Sequence, residues 1–444
     1  DNSSLKGCPV IEELNVNYSN LFGRIEYESK MGTLETDYRM IRAGAFHRAN
    51  GGYLILDART VLSEPYVWEK LKQVLSSSLQ TIENLQYRIG LVSTVSLKPE
   101  PVPLNTKVII IGEPWIYNRL SLLDPDFHKL FKIKAEFDWE MDLNLKNTMN
   151  ICRFVCSTVK ENELLHFDRE ALKETIKKAI FMTGDRRKIS TKFGKLKQLI
   201  IESSAEANED SSLVKAIHVK KAWDGIKMRA SLYKEKMENA IYDNRIYIDT
   251  EGEKIGEING LTVLENEDIS FGNPVKIIAK VSSGSKGFID IQKETGLGGK
   301  IHHKASMTIQ GYLNSNFGKN FPISINAFIS FEQVYGKIEG DSASVAELVA
   351  LMSSISEIPL KQSIAVTGSI NQSGLVQPVG GIPFKIEGFY SICKKRGLNG
   401  SHGVIIPFSN INNLVLTDEI VKAISESKFH IWTIKNIDEA VEIL

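Results

Sequence analysis

The fold of this chain is decided by the stretch Lys337-Ile-Glu-Gly-Asp-Ser-Ala-Ser-Val-Ala-Glu347. A run of strand character over residues 324–331 precedes it, and an apolar run at helical spacing over residues 345–355 follows it. We therefore predict a strand, a loop and a buried helix. Ser342 then lies where the loop meets the helix, and the first free N–H groups of that helix could hold an oxyanion. A serine that only caps a helix is far commoner, so this stretch alone leaves both interpretations open.

A second stretch favours chemistry at Ser342. It runs from Thr367 to Lys385 and predicts a strand, a turn, another strand and, after Gly380-Gly381, a helix that opens at the lysine. A serine hydroxyl needs a base, and a lysine amine can be that base if burial lowers its pKa toward neutrality. Lys385 has apolar neighbours on both sides, whereas most of the other lysines lie in polar runs. Lys385 is therefore a candidate base for Ser342.

Four motifs resemble, in order and spacing, the proteolytic domain of Lon proteases: Glu339-Gly-Asp-Ser-Ala-Ser344, Val366-Thr-Gly-Ser369, Val379-Gly-Gly-Ile-Pro-Phe-Lys385 and Gly403-Val-Ile-Ile-Pro407. Together they are far more specific than any single glycine-rich loop. The resemblance implies a Ser–Lys dyad, with Ser342 as nucleophile and Lys385 as general base. It also implies that the Thr367 hydroxyl helps to position the lysine.

The sequence departs from the bacterial Lon pattern at one point. Asp341-Ser342-Ala343-Ser344 stands where bacterial Lon has Gly-Pro-Ser-Ala-Gly, and this form resembles the Lon-like (C-type) branch. Asp341 is a supporting residue of the site. A carboxylate turned toward Lys385 would keep the amine charged, so we expect an Asp341–Lys385 pair to silence the site.

Length and composition describe an ordinary globular protein. The 444 residues allow two or three domains, and 54 basic side chains balance 54 acidic ones. This balance gives no general attraction to nucleic acid or to an anionic membrane, so neither is predicted as a partner. The sequence contains no apolar run of the ~20 residues that span a bilayer and no signal peptide. We expect a cytoplasmic protein.

Cysteines and histidines do not predict a metal site. Cys152 and Cys156 are four residues apart, but no second pair at ligand spacing lies nearby, so we expect core thiols. His302 and His303 are adjacent, and adjacent side chains on a regular element point in different directions. No metal is therefore expected.

The N-terminal part resembles the AAA+ module of Lon-like proteins that lack a complete ATPase core. Asp57 ends a predicted strand over residues 47–57, as a Walker B carboxylate would, although a strand-end aspartate that caps the next helix is the commoner case. Ala58 follows it where active enzymes carry a glutamate, and no P-loop motif occurs in the sequence. The segment 131–137 offers only lysines where an arginine finger would be sought. Arg186 is placed like a sensor arginine but also suits a helix surface.

The predicted fold class is a partial α/β AAA+-like module with a helical lid, followed by an α+β Lon-type proteolytic domain. The boundaries we expect are 1–143, 144–242 and 243–444. A second continuous buried strand is predicted over residues 107–112, with one short helix over residues 122–131 after it. Predicted helices further along include one that Asp168 caps and another over residues 301–313. The glycines at 296, 298 and 299 predict a loop facing the substrate, not a phosphate site in a βαβ unit.

These features predict a serine endopeptidase of Lon type that degrades unfolded proteins without hydrolysing ATP and requires no cofactor. The resemblance also implies a homohexamer enclosing a chamber. Because the sequence begins at Asp1 and not at methionine, we expect it to be part of something longer. Two alternatives stay open: an ATP-dependent protease whose nucleotide–Mg²⁺ site lies upstream, and an AAA+-like scaffold with an inert peptidase site.

Overall fold

A computed structural model describes residues 6–30, 33–83, 85, 97–208, 211–265, 270–320 and 323–444. The chain divides into two compact units, Asp1–Phe137 and Asp138–Leu444. Within the described residues, no helix is long and apolar enough to cross a membrane.

The first unit is built on a parallel three-stranded sheet. Tyr53–Asp57 is the central strand, with Val10–Glu12 on one side and Lys107–Ile111 on the other. The helices that the structure describes in this unit, one of them a 3₁₀ turn, are Tyr18–Phe22, Tyr38–Met40, Ala45–Arg48, Ala58–Ser63, Val67–Ser77, Pro114–Leu123 and Phe127–Leu130. Short antiparallel pairs join Arg24–Ile25 with Ile41–Arg42, Glu28–Lys30 with Thr33–Glu35, and Leu79–Gln80 with Val102–Pro103.

Several predictions for this unit are wrong in detail. The strand predicted from residue 47 begins only at Tyr53, because Ala45–Arg48 is helical and a turn follows. The strand Lys107–Ile111 lies at a sheet edge and exposes alternate side chains, so it is not buried throughout. Pro125 lies between two helices where one was expected, because proline cannot continue a helix. The strand Val10–Glu12 was missed, because three residues are too few to show a period.

The second unit starts with a helical lid. Among the described residues its helices are Leu145–Glu161, Arg169–Phe181, Phe193–Asn208, Ala216–Arg229 and Leu232–Tyr242, and Glu140–Asp142 pairs with Lys188–Ser190 beside them. The Asp168 carboxylate accepts a hydrogen bond from the Ala171 N–H, which confirms the predicted cap. Cys156 is exposed and Cys152 is half-buried, so the expectation of core thiols is wrong for Cys156.

The rest of the second unit is a seven-stranded mixed sheet with helices on both faces. Its strands, in spatial order, are Gly287–Asp290, Ile325–Phe331, Ser270–Ser283, Glu257–Glu265, Ile364–Val366, Gly403–Pro407 and His430–Ile434. The helices, including one 3₁₀ segment, are Ile291–Glu294, Lys300–Phe317, Ser344–Ser356, Ile382–Arg396, Phe408–Asn413, Asp418–Ser425 and Ile437–Ile443. Two small antiparallel pairs lie beside the sheet: Glu253–Lys254 with Leu360–Lys361, and Ser369–Ile370 with Val376–Gln377.

The side chains of the strand Ile364–Val366 point alternately into two hydrophobic cores. Ile364 and Val366 pack into one core with the helix Ser344–Ser356, here the serine helix. Ala365 packs into the other core with the helix Ile382–Arg396, here the lysine helix. Successive side chains of a strand point to opposite faces of the sheet, so the two helices lie on opposite faces.

The glycines at 296, 298 and 299 lie in a loop, as predicted. The loop lies between the helices Ile291–Glu294 and Lys300–Phe317, within a connection between the parallel strands Gly287–Asp290 and Ile325–Phe331. It is therefore not a turn between a strand and a helix, which is where a phosphate-binding loop of a βαβ unit lies. Its Gly299 N–H donates to the Ile338 carbonyl, which pairs the loop with the chain leading to Ser342. Whether it faces the substrate stays a prediction.

Candidate active site

Ser342 lies in a turn two residues before the serine helix begins. The turn is entered through Gly340 at a φ of +103°, a conformation that L side chains rarely adopt. The Ser342 carbonyl accepts hydrogen bonds from the Gly368 N–H at 2.8 Å and from the Thr367 hydroxyl at 3.1 Å. The Val345 N–H donates to the Gly368 carbonyl. The turn is therefore fastened to the chain that leaves the strand Ile364–Val366.

Lys385 lies in the first turn of the lysine helix, and its side chain is 2% exposed. Two glycines allow this placement. Gly381 begins the helix at a φ of +72°, where a Cβ would lie 2.5 Å from Val263. Gly272, on a neighbouring strand, lets the helix approach so closely that a Cβ there would lie 2.1 Å from the Phe384 carbonyl oxygen. The sequence thus presses the lysine helix onto the sheet and buries its first turn.

Ser342, Thr367 and Lys385 meet at one end of the strand Ile364–Val366. The Lys385 Nζ lies 3.0 Å from the Ser342 Oγ and 2.9 Å from the Thr367 Oγ1. Thr367 follows the strand directly and is fully buried. Because the serine and lysine helices come from opposite faces, their first turns converge where this strand ends. The three residues that the resemblance implied are therefore together in space.

Burial lowers the pKa of Lys385 to about 8, from an ordinary 10.5. Loss of hydration disfavours the ammonium form, and the nearby Asp341 carboxylate acts in the opposite direction. At a pKa of about 8, roughly one fifth of the lysine is neutral at pH 7.4. A useful fraction of the amine is then able to accept a proton.

Asp341 does not form the silencing pair with Lys385. Its Oδ2 accepts a hydrogen bond from the Ser369 Oγ at 2.8 Å, and no ion pair joins it to Lys385 in the described part of the chain. The side chain of Ser344 also serves this turn, because its Oγ donates to the Asp341 carbonyl and accepts from the Ile370 N–H. Ser369 and Ser344 were not singled out from the sequence, where nothing local shows which groups their hydroxyls meet.

Two backbone donors stand beside the hydroxyl. The N–H groups of Ser342 and Ala343 make no hydrogen bond to any residue that the structure describes. Unpaired N–H groups before a helix are the donors that an oxyanion needs.

A buried charged cluster lies behind the serine helix. The His302 Nε2 is 2.9 Å from the Asp290 Oδ2, and both side chains are almost completely buried. Glu347, on the serine helix, is fully buried, and loss of hydration raises its pKa to about 7. His302 thus faces an aspartate. Among the described residues, no group of three or more histidine, cysteine, aspartate or glutamate side chains is placed to hold a metal ion. The sequence drew attention to His302 but not to its acidic neighbours.

Asp57 and Arg186 are explained without a nucleotide. The Asp57 Oδ1 accepts hydrogen bonds from the Thr60 N–H and hydroxyl, so this carboxylate caps the helix Ala58–Ser63, which was the commoner interpretation. The next side chain, Ala58, is buried and has no group to orient a water. Arg186 lies in the loop after a lid helix, where its Nε and N–H donate to Asn412 of the proteolytic domain. Both side chains thus have hydrogen-bond partners within this chain.

Three family models match successive parts of the chain. A LonB-like AAA domain matches residues 6–138, an archaeal LonB AAA+ ATPase lid domain matches 166–229, and the Lon protease (S16) C-terminal proteolytic domain matches 251–444. The predicted order of an AAA-like domain, a helical lid and a proteolytic domain is thereby confirmed. A domain of the last type implies a serine peptidase.

Known proteins show the same similarity over nearly the whole chain. A Lon protease homolog of Escherichia coli K12 is 34% identical over 415 residues, which cover 91% of this chain and 68% of that protein. A Lon protease homolog of Haemophilus influenzae is 32% identical over 90% of this chain and 66% of that protein. An archaeal Lon protease of Archaeoglobus fulgidus is 29% identical over 100% of this chain and 68% of that protein. The chain spans about two thirds of the length of these relatives. With its fold and all three domain matches in agreement, the chain belongs to the Lon protease family.

Proposed function

We propose that this chain is a serine endopeptidase that cleaves unfolded proteins with a Ser342–Lys385 dyad. The observation that carries the proposal is the 3.0 Å approach of a buried lysine Nζ to the hydroxyl of a serine in the turn before a helix. An inert scaffold would have no need to keep a lysine 2% exposed in contact with two hydroxyl groups.

The hydrogen bonds of Thr367 suit a lysine that acts as a base. A hydroxyl has one proton, and the Thr367 hydroxyl donates it to the Ser342 carbonyl, so toward Lys385 it can only accept. A neutral amine that donates one N–H to Thr367 keeps its lone pair for the Ser342 proton. Thr367 thereby orients the base.

The reaction then follows from the arrangement. The Lys385 Nζ takes the Ser342 proton as the Oγ bonds to the peptide carbonyl carbon, and the carbonyl oxygen becomes an oxyanion. The N–H groups of Ser342 and Ala343 are the donors available to it. The Lys385 ammonium returns the proton to the leaving amine as the C–N bond breaks. A water, deprotonated by the same amine, hydrolyses the acyl-enzyme and restores the Ser342 hydroxyl.

The proposal has three further parts, which concern ATP hydrolysis, access to the site and the cellular compartment. We propose that this chain hydrolyses no ATP, because it lacks a P-loop and Asp57 caps a helix. A peptidase with so general a substrate needs restricted access, and a homohexameric ring with an inner chamber, as the family resemblance implies, would supply it. The cytoplasm stays the expected compartment. If a nucleotide site precedes this chain in a longer protein, the proteolytic step proposed here is unchanged.

Cleavage of unfolded casein by the purified chain tests the proposal. We expect Ser342→Ala to abolish cleavage without loss of folding, because a single half-buried hydroxyl adds little to packing. The control is Ser356→Ala, an exposed serine at the far end of the same helix, which keeps full activity. ATP with Mg²⁺ should leave the wild-type rate unchanged. Activity in Ser342→Ala contradicts the dyad, and stimulation by ATP contradicts nucleotide independence.

A further inference from the structure

The carboxylate nearest to Lys385 is held away from it by a serine. The Asp341 Oδ2 accepts the Ser369 Oγ–H at 2.8 Å, and Ser369 is 3% exposed. The other acceptor within reach of this hydroxyl is the Gln377 Oε1, at 3.5 Å. A hydroxyl has one proton, and the much shorter contact identifies Asp341 as its acceptor.

The same short strand, Ser369–Ile370, also fixes the backbone of Asp341. The Ile370 N–H donates to the Ser344 Oγ, and that hydroxyl donates to the Asp341 carbonyl. Asp341 is thus fastened at its carbonyl through Ser344 and at its carboxylate by Ser369. The strand Ser369–Ile370 pairs with Val376–Gln377, and the two strands are here called the β-hairpin. The Asp341 carboxylate therefore has a defined position beside this β-hairpin.

The position of the Asp341 carboxylate matters because its negative charge favours the ammonium form of Lys385, whereas a base must be neutral. Among the titratable groups that the structure describes, Asp341 is the charged group that acts on the Lys385 amine, and it favours the ammonium. The hydrogen bonds of the Lys385 Nζ go to Ser342 and Thr367. A direct ion pair with Asp341 would keep the lysine protonated and take it from the serine.

We propose that Ser369 is a positioning residue of this site, whose hydroxyl holds the Asp341 carboxylate on the hairpin and so keeps Lys385 free for Ser342. The inference rests on the proposed function, because it has a catalytic consequence only if Lys385 is the base. Among the described residues, the Ser369 hydroxyl contacts Asp341 and Gln377 and neither member of the dyad, so it acts through Asp341.

The test is the pH dependence of Ser342 phosphonylation by a fluorophosphonate probe, with the modified residue identified by mass spectrometry. In this reaction the Oγ bonds to phosphorus, fluoride leaves, and the proton passes to the base. In Ser369→Ala the released Asp341 carboxylate pairs with Lys385. We therefore expect the midpoint of the profile of labelling rate against pH to rise by about one pH unit. The rate below the midpoint then falls about tenfold, because the neutral fraction of the lysine falls by that factor.

Three further variants separate positioning from a structural defect. Asp341→Asn should shift the midpoint below the wild-type value, and Ser369→Ala in the Asp341→Asn background should add no further shift. Ser369→Thr, which keeps the hydroxyl, should retain the wild-type midpoint. Ser373→Ala, at an exposed serine of the same hairpin, is the matched control and should change nothing.

The outcomes distinguish this inference from the function on which it rests. The role of Ser369 is overturned if Ser369→Ala keeps the wild-type midpoint. It is also overturned if Ser369→Ala still raises the midpoint in the Asp341→Asn background. If Ser369→Ala does not fold, the direction of the shift in Asp341→Asn decides, and an unchanged midpoint there overturns it as well. Failure of the probe to label Ser342 in the wild type at any pH overturns the proposed function itself.

Discussion

At the scale of single residues, the buried Lys385 works against stability. Its folded pKa of about 8 is below its ordinary 10.5, so the folded chain releases this proton first as the pH rises. The loss of folding stability caused by burial of the ammonium is therefore fully present below pH 8. It disappears as the pH rises to 10.5, the ordinary pKa that the lysine has in the unfolded chain. The shift corresponds to about 3 kcal/mol of unfolding free energy.

Lys385→Met should accordingly stabilise the folded protein at pH 7 by up to about 3 kcal/mol while abolishing cleavage, because methionine fills a similar volume without a charge. The advantage should shrink toward zero near pH 10.5. Urea denaturation at both pH values measures it, and Lys293→Met, at an exposed lysine, is the control that should show no such dependence. A Lys385→Met variant less stable than the wild type at pH 7 would mean that the lysine is not desolvated as described.

Sequence patterns located Ser342, Lys385 and Thr367 because each lies in a motif whose residue types the chemistry requires. They did not locate Ser369 or Glu347. The hydroxyl of Ser369 finds its acceptor in Asp341, which lies 28 residues earlier in the chain, and no local pattern encodes that contact. Glu347 belongs to the first turn of the serine helix, where a carboxylate is expected to be exposed. It is nevertheless fully buried, and the charged groups that act on it, His302 and Asp290, lie more than 40 residues earlier in the chain.

At the scale of elements, the site depends on how closely the lysine helix packs on the sheet. Gly272→Ala should displace this helix, because the added Cβ would lie 2.1 Å from the Phe384 carbonyl oxygen, and rigid backbone cannot yield cheaply. A displacement of about 1 Å at Lys385 is enough to lower the cleavage rate about a hundredfold. We expect that loss together with a cost of about 1–3 kcal/mol in stability.

The matched control is Gly336→Ala, where an added Cβ would meet no atom within 4 Å and φ is not positive. Casein cleavage and thermal melting of both variants provide the comparison. Full activity in Gly272→Ala would show that the close approach of strand and helix does not determine where the lysine lies.

The helices of the proteolytic domain were easier to predict than the elements of the first unit. The serine helix and the helix Lys300–Phe317 have long apolar faces, so their period is visible in the sequence. The strand Val10–Glu12 and the helix Ala45–Arg48 have three and four residues and are formed by tertiary contacts. The split near Pro125 was readable in the sequence but was overlooked in the prediction.

At the scale of the whole molecule, the proposed ring would limit which protein chains can reach Ser342. We expect the chain to sediment as a closed assembly of six copies, because cyclic symmetry makes a chamber from identical subunits. Sedimentation velocity at the concentrations used for casein cleavage measures this directly. An active monomer under those conditions would contradict the proposal that a ring restricts access to Ser342.

The role of Lys385 as the base for Ser342 can be measured through the pH dependence of fluorophosphonate labelling in Lys385→Arg. A guanidinium keeps the positive charge but cannot release its proton near neutral pH. We expect wild-type labelling at Ser342 to rise through a single ionisation at about pH 8, and Lys385→Arg to show no labelling above background across the same range. Substantial labelling of Lys385→Arg, or a profile with the wild-type midpoint, would contradict this role of Lys385 and leave Ser342 without its base.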